Sequence, residues 1–234
     1  MGLLSSGADV LTALYVYLAV AFALMITVFH SKTLLRKYGD YQAFLRYFAF
    51  FFALFFVLPM LIILLASAEP GAFLASRGFT FGRSQKGLFI MGLSVPIALI
   101  AAFIGSRDPA LKAQYPFSKE ACSSPQRFVF FEICYLVFYY LPWEFLYRGV
   151  LFFPLIPAIG LVPALAVQTL ISTLHHFGHP DSEIFAALAA GFIFGLIAYA
   201  TGSFFYTFFI HALVGIGNDT FLYLRYHRPR QRPS

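Results

Sequence analysis

Charge is what this chain has least of: only 11% of its 234 residues are Asp, Glu, Lys or Arg. A typical soluble domain carries about 25% charged residues, so a water-facing surface over most of the chain is excluded. Cysteine is nearly absent too. Cys122 and Cys134 give no disulfide framework and no CxxC metal knuckle, and both read as small packing residues. Neither HExxH nor GxSxG occurs, which excludes the zincin helix and the serine-hydrolase elbow. No repeat, low-complexity tract or linker marks off a soluble domain.

What replaces these is apolar sequence, 60% hydrophobic and 20% aromatic. Seven apolar segments can be drawn, over residues 9–30, 46–67, 87–105, 127–152, 154–176, 183–200 and 203–224. Each is near the ~20 residues that a membrane-spanning helix needs. The expected fold class is all-α: a polytopic membrane protein of about seven transmembrane helices. Some of these helices are expected to be broken or kinked near Pro142 and Pro154, because proline removes a helical hydrogen bond and clashes with the preceding turn. The first segment has no basic residues before it and reads as a retained helix.

The net charge is +6, but the basic residues sit in loops and at the tail. The loops around Lys32–Arg46 and Arg107–Arg127, with the tail from Arg225, hold twelve Lys and Arg. The loop between the second and third segments holds three: Arg77, Arg83 and Lys86. This pattern suits the positive-inside rule, with the N-terminus outside and the tail cytoplasmic, rather than a nucleic-acid surface. The chain divides into N-terminal helices (1–126), a core (127–224) and a basic tail (225–234).

Three polar clusters interrupt the apolar segments. In PWEFLYRG, Glu144 and Arg148 are four residues apart, so they share a helix face and can pair. Each would cost ~2.5–3.5 kcal/mol alone at mid-membrane. In STLHHFGHPDSE, His175, His176 and His179 end one segment and Glu183 opens the next. Pro180 and Asp181 fit a helix start, but three histidines in five positions do not. In FFIHALVGIGND, a helix sets Asn218 almost directly below His211 and puts Gly215 on nearly the same face. Gly191 and Gly195 form a small-xxx-small pattern that lets helices approach closely. Glu132 reads as a snorkelling or base-paired carboxylate.

A carboxylate with a nearby Arg, a His about thirty residues on and a final His resemble the CPBP family. That family comprises type II CAAX prenyl endopeptidases and the bacteriocin-processing, abortive-infection intramembrane proteases. The resemblance covers residues from near Phe128 to Asp219. WEFLYRG stands for Glu-Glu-xxx-Arg, STLHH for Phe-xxx-His through His176, and IHALVG for His-xxx-Asn/Asp through His211. Three positions depart from the motifs: Trp143 replaces the first Glu, Ser172 replaces Phe, and Gly215 replaces Asn or Asp.

The resemblance implies an intramembrane endopeptidase acting on a membrane protein or a lipidated peptide within the bilayer, in the inner or plasma membrane if bacterial. Glu144 and His176 are expected to polarise water while His211, with Asn218, stabilises the oxyanion and Arg148 orients Glu144. Glu183 is the candidate to replace the lost carboxylate. A glutamic-type mechanism requires no cofactor; a divalent zinc would draw its ligands from His175, His176, His179, His211 and Glu183. A catalytically inactive binding or immunity protein and a proton-coupled transporter are the alternatives, though no inverted repeat is visible.

Overall fold

A computed structural model describes residues 7–227, which form helices and connecting turns with no strand among them. The main helices are α1 (Gly7–Thr27), α2 (Ser31–Tyr38), α3 (Asp40–Ala66), α4 (Ser84–Gly105), α5 (Pro125–Ile159), α6 (Leu161–Leu174), α7 (Asp181–Thr201) and α8 (Phe205–Tyr226). Five of them, α1, α3, α4, α5 and α7, are long and apolar enough to cross a membrane. The outward faces of α3, α6 and α7 carry exposed Leu65, Val162 and Phe185, each more than 70% accessible. Such surfaces suit lipid and not water, and the protein is an integral membrane protein.

The kink expected at Pro142 takes a specific form. The helix α5 runs unbroken for 35 residues, but it widens to π geometry over Leu136–Tyr140 and again over Phe145–Phe152. A third widened turn, Ala53–Val57, lies in α3. Each stops two residues short of a proline: Pro59, Pro142 and Pro154. The cause is steric. A proline ring collides with the carbonyl four residues back, here Phe55, Phe138 and Val150, and a wider turn moves that carbonyl aside. Pro154 is therefore absorbed, and the chain breaks at Gly160 instead, where φ is +87°. Only glycine adopts that backbone at little cost.

The core is aromatic. Trp143 and Tyr147 of α5 pack with Phe48, Phe51 and Phe55 of α3, all essentially inaccessible. The helix α8 runs antiparallel to the first half of α5, with Phe128 stacked on Tyr223 at 4.3 Å and Tyr140 edge-on to His211 at 4.8 Å. The same helix packs most extensively against α4.

Gly191 and Gly195 do provide close packing, as their spacing suggests. A Cβ on Gly195 would lie 2.3 Å from Leu165 Cδ1 and 2.7 Å from Gln168 Nε2 on α6. Gln168 Nε2 in turn donates to the Gly191 carbonyl at 2.8 Å. Gly195→Ala is expected to destabilise the fold by about 1–3 kcal/mol, the range for overpacking a filled interface. Thermal unfolding in detergent micelles reads this, and an unchanged midpoint would show that α6 and α7 are free to separate.

Candidate active site

A cavity of about 500 Å³ opens between α4, α5, α7 and α8. Its wall includes Asp108 and Tyr115 from the α4–α5 connection, His176 and His179 after α6, and Glu183 on α7. From there it runs inward to Tyr140, Trp143, His211, Gly215 and Asn218. The second and third polar clusters of the sequence, far apart along the chain, thus meet at one space, with Trp143 beside them and Glu144 of the first cluster behind His211.

At the inner end, Glu144 is wholly inaccessible and its Oε1 accepts a hydrogen bond from His211 Nδ1 at 2.7 Å. Arg148 NH1 stands 3.2 Å from the same oxygen, one helical turn along, with its guanidinium over the Phe194 ring. The expected i,i+4 pair is therefore present, and it is buried. The carboxylate does not itself reach the cavity; it stands behind His211. Since a carboxylate only accepts, Nδ1 of His211 carries the proton and Nε2 is turned toward the open space.

His176 is fixed in the same sense. Its Nδ1 donates to the Ser172 carbonyl at 2.9 Å, so Nε2 is a bare acceptor. Ser172, in place of the motif's Phe, lies under Gly191. His175 belongs elsewhere. It is sandwiched with Trp143 at 4.7 Å, is hydrogen-bonded to the Tyr147 hydroxyl at 2.6 Å, and is not on the cavity wall.

Glu183 sits where α7 begins, because Pro180 and the acidic first turn start a helix there. Its Oε1 accepts from the Tyr115 hydroxyl at 2.6 Å and from His179 Nδ1 at 2.8 Å. Its Oε2 is buried and has no hydrogen-bond partner. Burial and the neighbouring Glu183 carboxylate hold the Tyr115 phenol well above its ordinary range, so Tyr115 stays a donor at any physiological pH. Asp108 ties the connection to α7. It accepts from Ser182 Oγ at 2.7 Å and from the Ala110 amide at 2.8 Å, and these bonds lower its carboxyl below the usual range.

Trp143 fills the position of the absent Glu with its ring edge-on to His176 at 5.0 Å and 6.1 Å from His211. Asn218 lines the cavity and donates through Nδ2 to Asp219 Oδ1 at 3.1 Å. Glu132 corrects the sequence reading. It neither snorkels nor finds a base, but is 6% accessible with both oxygens unpartnered. The α5–α8 register sets it opposite the buried Asp219.

Of the candidate metal ligands, His176, His179, His211 and Glu183 border the cavity. No three His, Cys, Asp or Glu side chains among the described residues are arranged to hold a metal ion. Tyr115 and Tyr140 were not legible as site residues, because in a chain with 14 tyrosines and 31 phenylalanines they look like packing.

Two histidines whose Nδ1–H bonds fix their rings, and a carboxylate with one unpartnered oxygen, around one cavity can polarise water and move its proton. No curated protein and no solved structure matches this chain. Residues 125–216, which supply every helix of the site except α4 and its connection to α5, are similar to the family model Type II CAAX prenyl endopeptidase Rce1-like.

Proposed function

We propose that this protein is an intramembrane endopeptidase that hydrolyses a peptide bond of a membrane-associated protein with a water activated by Glu183 and His176. The observation that carries the reading is Glu183: its Oε1 is locked by Tyr115 and His179, its Oε2 has no hydrogen-bond partner, and the residue lines the cavity that His176 also lines. A carboxylate held in this way can take a proton from water and return it to the leaving amine. Glu144 becomes a positioning residue. It fixes the His211 ring and stabilises an imidazolium whose Nε2–H faces the developing oxyanion. Arg148 keeps Glu144 ionised, and Asn218 shapes the wall beneath His211.

The placement also bears on access. By the charge count, the 106–124 connection faces the cytoplasm, and Asp108 and Tyr115 of that connection line the cavity. Substrate enters from the basic, cytoplasmic side. A membrane protein or a lipidated peptide fits such a path, and a nucleic acid does not. The membrane is the plasma or inner membrane in a bacterial cell.

New protein N- and C-termini in membranes bearing the wild type, compared with membranes lacking the chain, test this reading and name the substrate. His176→Ala at matched expression is expected to lower their formation by about 10²–10⁴-fold. Identical termini in all three membranes would remove the protease reading. Trp143 favours a second reading in that case: a catalytically silent protein whose cavity binds a membrane partner, as an immunity protein does.

A further inference from the structure

Glycine at position 215 has a structural reason that points to a further catalytic group. A Cβ built there would lie 1.6 Å from the Tyr140 hydroxyl oxygen and 2.7 Å from its ring carbon Cζ. The phenol of α5 therefore occupies the space of any side chain that α8 might have offered. Both residues border the cavity, and the Tyr140 ring meets His211 edge-on at 4.8 Å. Tyr140 stands one turn before Glu144 on α5, so one helix holds His211 through the carboxylate and sets a phenol ring beside it, with the hydroxyl one turn along α8 at Gly215.

Resting on the endopeptidase reading, we infer that Tyr140 is a catalytic residue, its hydroxyl donating to the oxyanion formed at the scissile carbonyl. The need for such a donor is visible in the site. Asn218 gives one of its two amide hydrogens to Asp219, and the third sequence motif has no side chain at Gly215. A hydroxyl reaching across from α5 supplies from one helix what the other lacks. Tyr140 is 3% accessible and Gly215 lies directly under its tip. The donor is thus pre-positioned and little is lost in ordering it as charge develops.

The step balances without any further reactant. Water oxygen bonds to the carbonyl carbon while Glu183 takes one water proton, and the C=O π pair moves to oxygen. With His211 entering the step already as the imidazolium paired to Glu144, its Nε2–H and the Tyr140 O–H hydrogen-bond that oxyanion, and both keep their protons. The intermediate then re-forms C=O, the C–N bond breaks, and the amine leaves with the proton held by Glu183.

Turnover of the substrate named by the terminus comparison decides the matter, using full-length protein in bilayer nanodiscs. Tyr140→Phe keeps the ring and is expected to lower kcat about 10²–10³-fold, the effect of removing one oxyanion donor, with KM and unfolding temperature unchanged. Gly215→Ala keeps the hydroxyl but displaces it, and is expected to lower kcat as well. Wild-type kcat in Tyr140→Phe would overturn the Tyr140 assignment and leave the endopeptidase reading standing. Absence of cleavage by the wild type would sink both.

Discussion

Glu183→Gln is expected to lower kcat by about 10²–10⁴-fold, the worth of a positioned acid–base group, with substrate still bound. Glutamine keeps the shape and can still accept from Tyr115 and His179 through its carbonyl oxygen. What it loses is the ability to hold water's proton between the two halves of the reaction. Turnover in nanodiscs, alongside equilibrium binding of the same substrate peptide, separates these roles. Wild-type kcat in Glu183→Gln would mean that another group takes the proton, with the His179–Tyr115–Glu183 cluster serving only to anchor the start of α7. Loss of binding with loss of turnover would argue for a structural role.

The second large effect concerns stability. Arg148 is 2% accessible and is paired with the wholly buried Glu144. Arg148→Met leaves that carboxylate charged, in low dielectric and without its guanidinium. Breaking a buried pair from one side costs about 3–5 kcal/mol, whereas removing both charges with similar volume is close to neutral. Arg148→Met is therefore expected to lower the unfolding midpoint sharply, and Glu144→Gln combined with Arg148→Met to recover most of it. Activity should not return in the double variant, because His211 loses the carboxylate that orients it. A double variant as unstable as Arg148→Met would show that the arginine matters for its packing on Phe194 and not for its charge. Recovered activity would remove the positioning role of Glu144.

Much of this architecture was legible in the sequence because lipid imposes a simple rule. Apolar segments near spanning length became helices, and the seven drawn segments correspond to α1, α3, α4, α5, α6, α7 and α8. The boundary between the fourth and fifth was misplaced for a definite reason. Proline is the visible breaker in the sequence, but a π turn lets a helix pass through Pro142 and Pro154 while Gly160 ends it. Intramembrane polar residues were legible as a shared site because each is costly in isolation. His176 over His175 followed from motif spacing, and the structure puts only His176 on the cavity.

The finer roles were not legible. Helical spacing pairs Glu144 with Arg148, but it does not show that His211 stands between Glu144 and the cavity. Tyrosine carries no such signal: a phenol that packs and one that donates have the same periodicity. Only the void at Gly215 distinguishes Tyr140, and it needs three dimensions to be seen. Likewise Glu132 and Asp219 face one another through a register that emerges from the packing of Phe128 on Tyr223. The proposed N-terminal topology and the arginines beyond residue 227 lie outside the described residues or depend on a bilayer, and rest on charge distribution alone.

Purified wild-type protein in bilayer nanodiscs, given the substrate peptide named by the terminus comparison, provides the decisive measurement. Cleavage by the wild type at the terminus seen in membranes is expected, with Glu183→Gln binding the peptide equally well and leaving it intact. Peptide bound and intact with both proteins would contradict the endopeptidase reading and identify the cavity as a binding site.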